Sequence, residues 1–90
     1  MRLSSPPASA ETLALKALGF LAESPERLSR FLDVSGTNVA VLRQSVEEPE
    51  FLAAVLDFLL ADEPLLTAFC QSESLDPKSL HVLRRALPGA

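Results

Sequence analysis

The sequence predicts an all-α fold: a compact bundle of five to six short helices that can be read as two degenerate three-helix repeats. Three observations carry this. Apolar residues recur at helical spacing, and neighbours pair as Leu59-Leu60 and Leu65-Leu66, where a strand would alternate them with polar residues. Helix-start residues punctuate the chain at Ser24-Pro25, Asn38, Asp62 and Asp76-Pro77. The chain also resembles itself under a shift of thirty-eight residues: sliding 13–44 onto 51–82 superimposes Leu18 on Leu56, Phe20 on Phe58, Leu21 on Leu59, Leu28 on Leu66, Phe31 on Phe69 and Leu42 on Leu80. Every identity is apolar, so shared apolar spacing in two amphipathic halves accounts for the match as readily as duplication does. The same shift places Ser24 on Asp62 and Asn38 on Asp76, four side chains able to accept a hydrogen bond from the first free amides of a helix.

The elements follow in order. Residues 1–9 are rich in Ser, Pro and Ala without periodicity, which predicts a disordered N-terminal tail ahead of a single helical domain over 10–88. From Glu11 to Ala22, Leu13, Ala17, Leu18, Phe20 and Leu21 fill one broad face and leave Thr12, Lys16, Gly19 and Glu23 on a narrow stripe. Ser24-Pro25-Glu26 starts a second helix that carries Leu28, Phe31 and Leu32 inward and ends near Gly36. A third, about Asn38 to Val46, presents Val39, Leu42 and Val46. The fourth, Pro49 to Ala61, is the most apolar and is expected to be the central strut. Its remaining stripe is Ala53, Ala54, Asp57 and Ala61, of which the last three align with Lys16, Gly19 and Glu23. Asp62 caps a fifth helix through Leu65, Leu66, Phe69 and Cys70. Asp76-Pro77 caps a sixth carrying Leu80, Leu83 and Leu87, stopped by Pro88-Gly89.

Ninety residues hold one modest core, and 48% apolar content is enough to fill it and argues against disorder. The net charge of −4 disfavours nucleic acid or an anionic membrane as a partner, because such binding draws on Lys and Arg displacing counterions. No apolar run reaches the roughly twenty residues of a membrane span, and no signal peptide is read, since Glu11 and Lys16 interrupt the place for one. The single cysteine, Cys70, reads as a buried thiol in a reducing compartment. A cytoplasmic protein is expected.

Chemistry is sparse. One histidine cannot pair in a metal site, one thiol without an adjacent base is a poor nucleophile, and the three glycines are too scattered for a phosphate loop. The acids Glu47, Glu48, Glu50, Asp62 and Glu63 cluster at helix starts, where they offset the positive dipole end. Asp57 differs because it interrupts the most apolar helix: a desolvated carboxylate there needs a cation or takes a raised pKa. Its alanine-lined edge favours a solvent-facing or arginine-paired structural role. No catalytic residue, cofactor, metal or small-molecule substrate is therefore expected, and the chain reads as a non-enzyme.

Residues 28–46 resemble the helix-turn-helix of bacterial regulators around Asp33-Val34-Ser35 and Val39, with Thr37, Asn38 and Arg43 as the donors to a major groove. Glu47, Glu48 and Glu50 follow at once and oppose phosphate, so this reading is the alternative. Lys78, His81, Arg84 and Arg85 form a basic patch on the last helix, which the carbonyl end of its dipole also explains. Leu52, Leu59, Leu60 and Leu65 exceed what so small a core is expected to cover and form the candidate interaction patch for a protein partner or a second copy.

The stretches Glu11-Thr-Leu-Ala-Leu-Lys-Ala-Leu-Gly-Phe-Leu-Ala and Phe51-Leu-Ala-Ala-Val-Leu-Asp-Phe-Leu-Leu-Ala, each followed by an acid and a further helix, resemble a family of short alphaproteobacterial proteins catalogued as a domain of unknown function. In that family a Gly-Leu-Asp-Pro turn tends to recur in both halves; here the turns read Gly36-Thr-Asn-Val and Ser74-Leu-Asp-Pro. The resemblance implies a helical, cytoplasmic bacterial protein and brings no activity, cofactor or site residue. The expected function is a small non-enzymatic protein-interaction module or adaptor.

Overall fold

Six helices make up the chain in the computed structural model, which describes residues 6–87: α1 (Pro6–Ala22), α2 (Pro25–Ser35), α3 (Val39–Ser45), α4 (Pro49–Leu60), α5 (Glu63–Glu73) and α6 (Pro77–Arg84). No strand occurs among the described residues. The fold is an all-α bundle, as the apolar periodicity predicts.

The element boundaries obey the thirty-eight-residue shift. Moving α2 by that interval gives the range of α5, α4 falls on residues 11–22 of α1, and α3 and α6 start at the matching positions Val39 and Pro77. The caps match too. Ser24 Oγ accepts from Arg27 N at 3.4 Å and Asp62 Oδ1 from Leu65 N at 3.2 Å; Asn38 Oδ1 accepts from Val41 N at 3.0 Å and Asp76 Oδ1 from Lys78 N at 2.9 Å. Both second helices end on a left-handed residue, Gly36 at φ 68° and Ser74 at φ 56°. Beyond each, Thr37 N donates to Leu32 O at 3.0 Å and Leu75 N to Cys70 O at 2.8 Å, so the same wrapped turn closes both. This agreement in bounds, caps and turn geometry exceeds what apolar spacing alone requires.

Helix α4 is the central strut and packs against α1, α2, α5 and α6. Its Val55, Leu56 and Leu59 have no solvent exposure, and burying each such side chain is worth about 1.5–3 kcal/mol. The halves are laced together by aromatic contacts that cross between them. Phe31 of α2 meets Phe58 of α4 edge-to-face at 5.3 Å, and Phe69 of α5 meets Phe20 of α1 at 5.4 Å, each pair being the other moved by thirty-eight positions. Phe31 also meets Phe51 at 5.8 Å. Each second helix packs on the first helix of its own half and sends one phenylalanine across to the first helix of the other.

Four sequence expectations change. The first helix begins at Pro6 rather than near Ala10, because Pro6 and Pro7 occupy a first turn that needs no N–H donors and Ala10 is already fully buried. Residues 1–5 of the expected tail and the expected Pro88-Gly89 stop lie outside the described residues. Ala53, assigned to the outer stripe of the fourth helix, is buried. Of the expected interaction patch, Leu52, Leu59 and Leu65 are buried and Leu60 is half-buried against the core: four neighbouring helices surround α4, so its wide apolar arc is consumed within the chain. The third helix buries no residue, and its Val39 is half exposed. Among the described residues no helix is long and apolar enough to cross a membrane.

Candidate functional site

Two grooves lie where the end of a second helix meets the first helix of the other half. One runs between α1 and α5 and is lined by Lys16, Gly19, Phe20, Glu23, Ser72 and Glu73; the other runs between α4 and α2 and is lined by Ala54, Asp57, Phe58, Ala61, Val34 and Ser35. Taken in that order, every residue of the first lies thirty-eight positions from its counterpart in the second. The grooves are the same place in the two halves. They are built where the exposed stripe of a first helix is flanked by the C-terminal end of the opposite second helix, with Phe20 lining the one and Phe58 the other.

Their chemistry differs. In the α1–α5 groove, Lys16 Nζ reaches Glu73 Oε1 at 3.5 Å across the opening, and the Arg27 guanidinium covers the Phe20 ring at 4.8 Å. In the α4–α2 groove the corresponding pair is Ala54 and Ser35, and no ion pair spans it. Val34, 72% exposed, forms one wall and Phe58 with Ala54 and Ala61 the other, around a cavity of about 310 Å³. Small side chains on one wall and an uncovered valine on the other leave an apolar slot open to solvent. A third depression, bordered by Ser24, Arg27, Arg30 and Asp33, is formed by α2 and its cap alone.

Asp57 closes one end of the apolar slot. Its Oδ1 accepts from Arg84 Nε at 2.7 Å and its Oδ2 from Arg84 Nη2 at 3.1 Å, a forked pairing; Arg84 Nη1 also donates to Leu87 O at 3.1 Å. The pair is asymmetric: the arginine side chain is 11% exposed and the aspartate 54%. Hydrogen bonding to Asp57 holds the Arg84 guanidinium above its ordinary pKa against a smaller opposing effect of burial. Asp57 is therefore the arginine-paired residue the alanine-lined edge suggests. Its task is to neutralise a buried cation and to fix α6 on α4.

The basic patch is correspondingly smaller than expected. Lys78, His81 and Arg85 remain exposed on the outer face of α6 with Val82 beside them, while Arg84, one position from Arg85 and so about 100° around the helix, turns inward to Asp57. Cys70 is buried, and burial, with the Asp76 carboxylate as a lesser cause, pushes its thiol up from the usual value and leaves it protonated and unreactive at neutral pH. Among the described residues no three His, Cys, Asp or Glu side chains gather as a metal site.

The helix-turn-helix resemblance over 28–46 corresponds to α2, the turn Gly36-Thr37-Asn38 and α3. One of its three donors is withdrawn, since the Thr37 hydroxyl is buried without a hydrogen bond; the Asn38 side chain caps α3 through its Oδ1, which accepts from Val41 N. Asn38 and Arg43 are exposed.

What sequence reasoning missed was the second wall. The stripe Ala54, Asp57, Ala61 and its alignment with Lys16, Gly19 and Glu23 were legible, but Val34 and Ser35 join it only through the crossed packing of α2 on α4. Exposure of Val34 at the end of an otherwise amphipathic helix was the available signal. The profile of the DUF3572 family, described as proteins of unknown function, matches residues 7–90. No curated protein and no solved structure matches the chain. The match spans nearly the whole sequence, and the chain therefore belongs to the DUF3572 family.

Proposed function

We propose that this chain is a small non-enzymatic protein-interaction module or adaptor of the alphaproteobacterial cytoplasm, and that its docking surface is the α4–α2 groove. The observation that carries the reading is the contrast between the two equivalent grooves: one is bridged by Lys16 and Glu73, whereas the other keeps Val34, Phe58, Ala54 and Ala61 uncovered. An apolar residue at 72% exposure contributes little to the core, and its place beside a cleft of alanines supports a docking role. The alternative is a nucleic-acid-binding regulator using α2 and α3, for which Asn38 and Arg43 are the exposed donors.

Replacing Val34 by the photo-crosslinking residue p-benzoylphenylalanine in the source cells tests the reading. A discrete crosslinked product from position 34, and none from Thr12 on the opposite half, is the expected result. No product from position 34, together with a salt-sensitive gel shift that weakens on Arg43→Glu, would transfer the function to the α2–α3 helix pair.

A further inference from the structure

We infer that the occupant of the α4–α2 groove is a second copy of this chain, entering with the outer face of its α6. This rests on the reading of the groove as a docking surface and adds the identity of the partner. Three features of the molecule support it. The first is charge complementarity: the six groove residues include no cation, the Asp57 carboxylate stays half exposed although it is paired with Arg84, and the exposed Asp33 adjoins Val34 at the rim, whereas the outer face of α6 carries Lys78, His81 and Arg85 and no acid. At helical spacing these three fall within one arc of roughly 60°, and Val82 lies at its border.

The second is apolar fit. Val82 is 62% exposed, and the slot it would enter is formed by Val34, Ala54, Phe58 and Ala61. Ala54, Ala61 and Ser35 hold little side-chain volume above the backbone, so a helix approaches closely. The third is adjacency. Asp57 lines the groove and is bonded to Arg84 of its own α6, so groove and basic face are neighbours on each copy. Two complementary surfaces side by side permit a two-fold arrangement in which each copy gives its α6 and receives the other, closing the assembly at two.

Sedimentation equilibrium of the full chain, from micromolar to millimolar concentration, tests this. The wild type is expected to dimerise reversibly. Val34→Lys, which places a cation against the incoming basic face, and the double variant Lys78→Glu/Arg85→Glu are each expected to weaken the dimer by about tenfold, or roughly 1.4 kcal/mol. All three positions are exposed, so circular dichroism should show unchanged helicity. Combining the three substitutions restores opposite charges and should recover the dimer. A wild type that stays monomeric throughout, a dimer indifferent to these substitutions, or a triple variant no better than either parent would overturn the pairing. A monomer that still crosslinks from position 34 would overturn the second copy while leaving the groove as a docking surface. A monomer that yields no crosslink there would remove both.

Discussion

Helices α3 and α6 hold the same place in two triplets whose boundaries coincide, yet only α6 is part of the core. Leu80 and Leu87 of the second triplet are buried, and Leu83 packs against them. The first triplet has Leu42, Pro49 and Ser45 at those three positions, so one of the three leucines survives. Arg84 is matched by Val46, and its partner Asp57 by Gly19, so the ion pair that fixes α6 on α4 has no counterpart on the other side. The same capped frame therefore yields a docked helix or a loose one according to a handful of inward residues. Caps and turns set where helices begin and end; apolar and ionic anchors decide whether they join the core.

The largest break in this contrast comes from the anchors themselves. Leu80→Ala should cost about 2–5 kcal/mol in chemical denaturation, while Leu42→Ala at the equivalent place should cost below about 1 kcal/mol, because Leu42 is only half-buried and its surroundings can collapse. Equal losses would mean that α3 is anchored as firmly as α6. Next in size is the ion pair. Asp57→Ala leaves the buried Arg84 guanidinium without its carboxylate and should cost about 1–3 kcal/mol, discounted toward the lower end because Asp57 is half exposed. Lys16→Ala, which removes the surface bridge of the equivalent groove, should change stability by less than about 0.5 kcal/mol.

Smaller effects sharpen the comparison at the two left-handed caps. Gly36→Ala should destabilise by about 1 kcal/mol, since a side chain at φ 68° is strained, and Ser74→Gly should stabilise by up to about 1 kcal/mol by relieving that strain at φ 56°. The opposite signs at equivalent positions are the diagnostic, read from thermal or urea midpoints. Thr37→Val should be neutral or stabilising by about 1 kcal/mol, because the buried hydroxyl has no partner to lose. The mildest probe is Cys70: its buried, protonated thiol should label slowly with a thiol reagent in the native state and rapidly in denaturant.

Much of this architecture was legible in the residues. Ser24, Asn38, Asp62 and Asp76 cap the helices they were expected to cap, because a short acceptor before a helical apolar pattern is a local signal that tertiary packing does not override. The central place of the fourth helix was equally clear from its wide apolar arc. The fate of that arc was not. Leu52, Leu59 and Leu65 look surplus when residues are counted along the chain, and become core because α1, α2, α5 and α6 all pack around α4, with Phe31 and Phe69 meeting partners 27 and 49 positions away. Arg84 was read as surface because it sits in the last turn of a short helix, and nothing local announces that Asp57 lies opposite. The groove shares this limit: its α4 wall is a visible stripe, whereas Val34 and Ser35 enter it from another element.

Native-state hydrogen exchange, resolved amide by amide, tests the central claim most directly, since a helix held by buried anchors opens with the whole fold and an unanchored one opens alone. The amides of Leu83 and Arg84 in α6 should exchange with a free energy near that of global unfolding, and those of Leu42 and Arg43 in α3 should exchange through local openings several kcal/mol easier. Matching protection in α3 and α6 would show that the two third helices are held alike and would contradict the account.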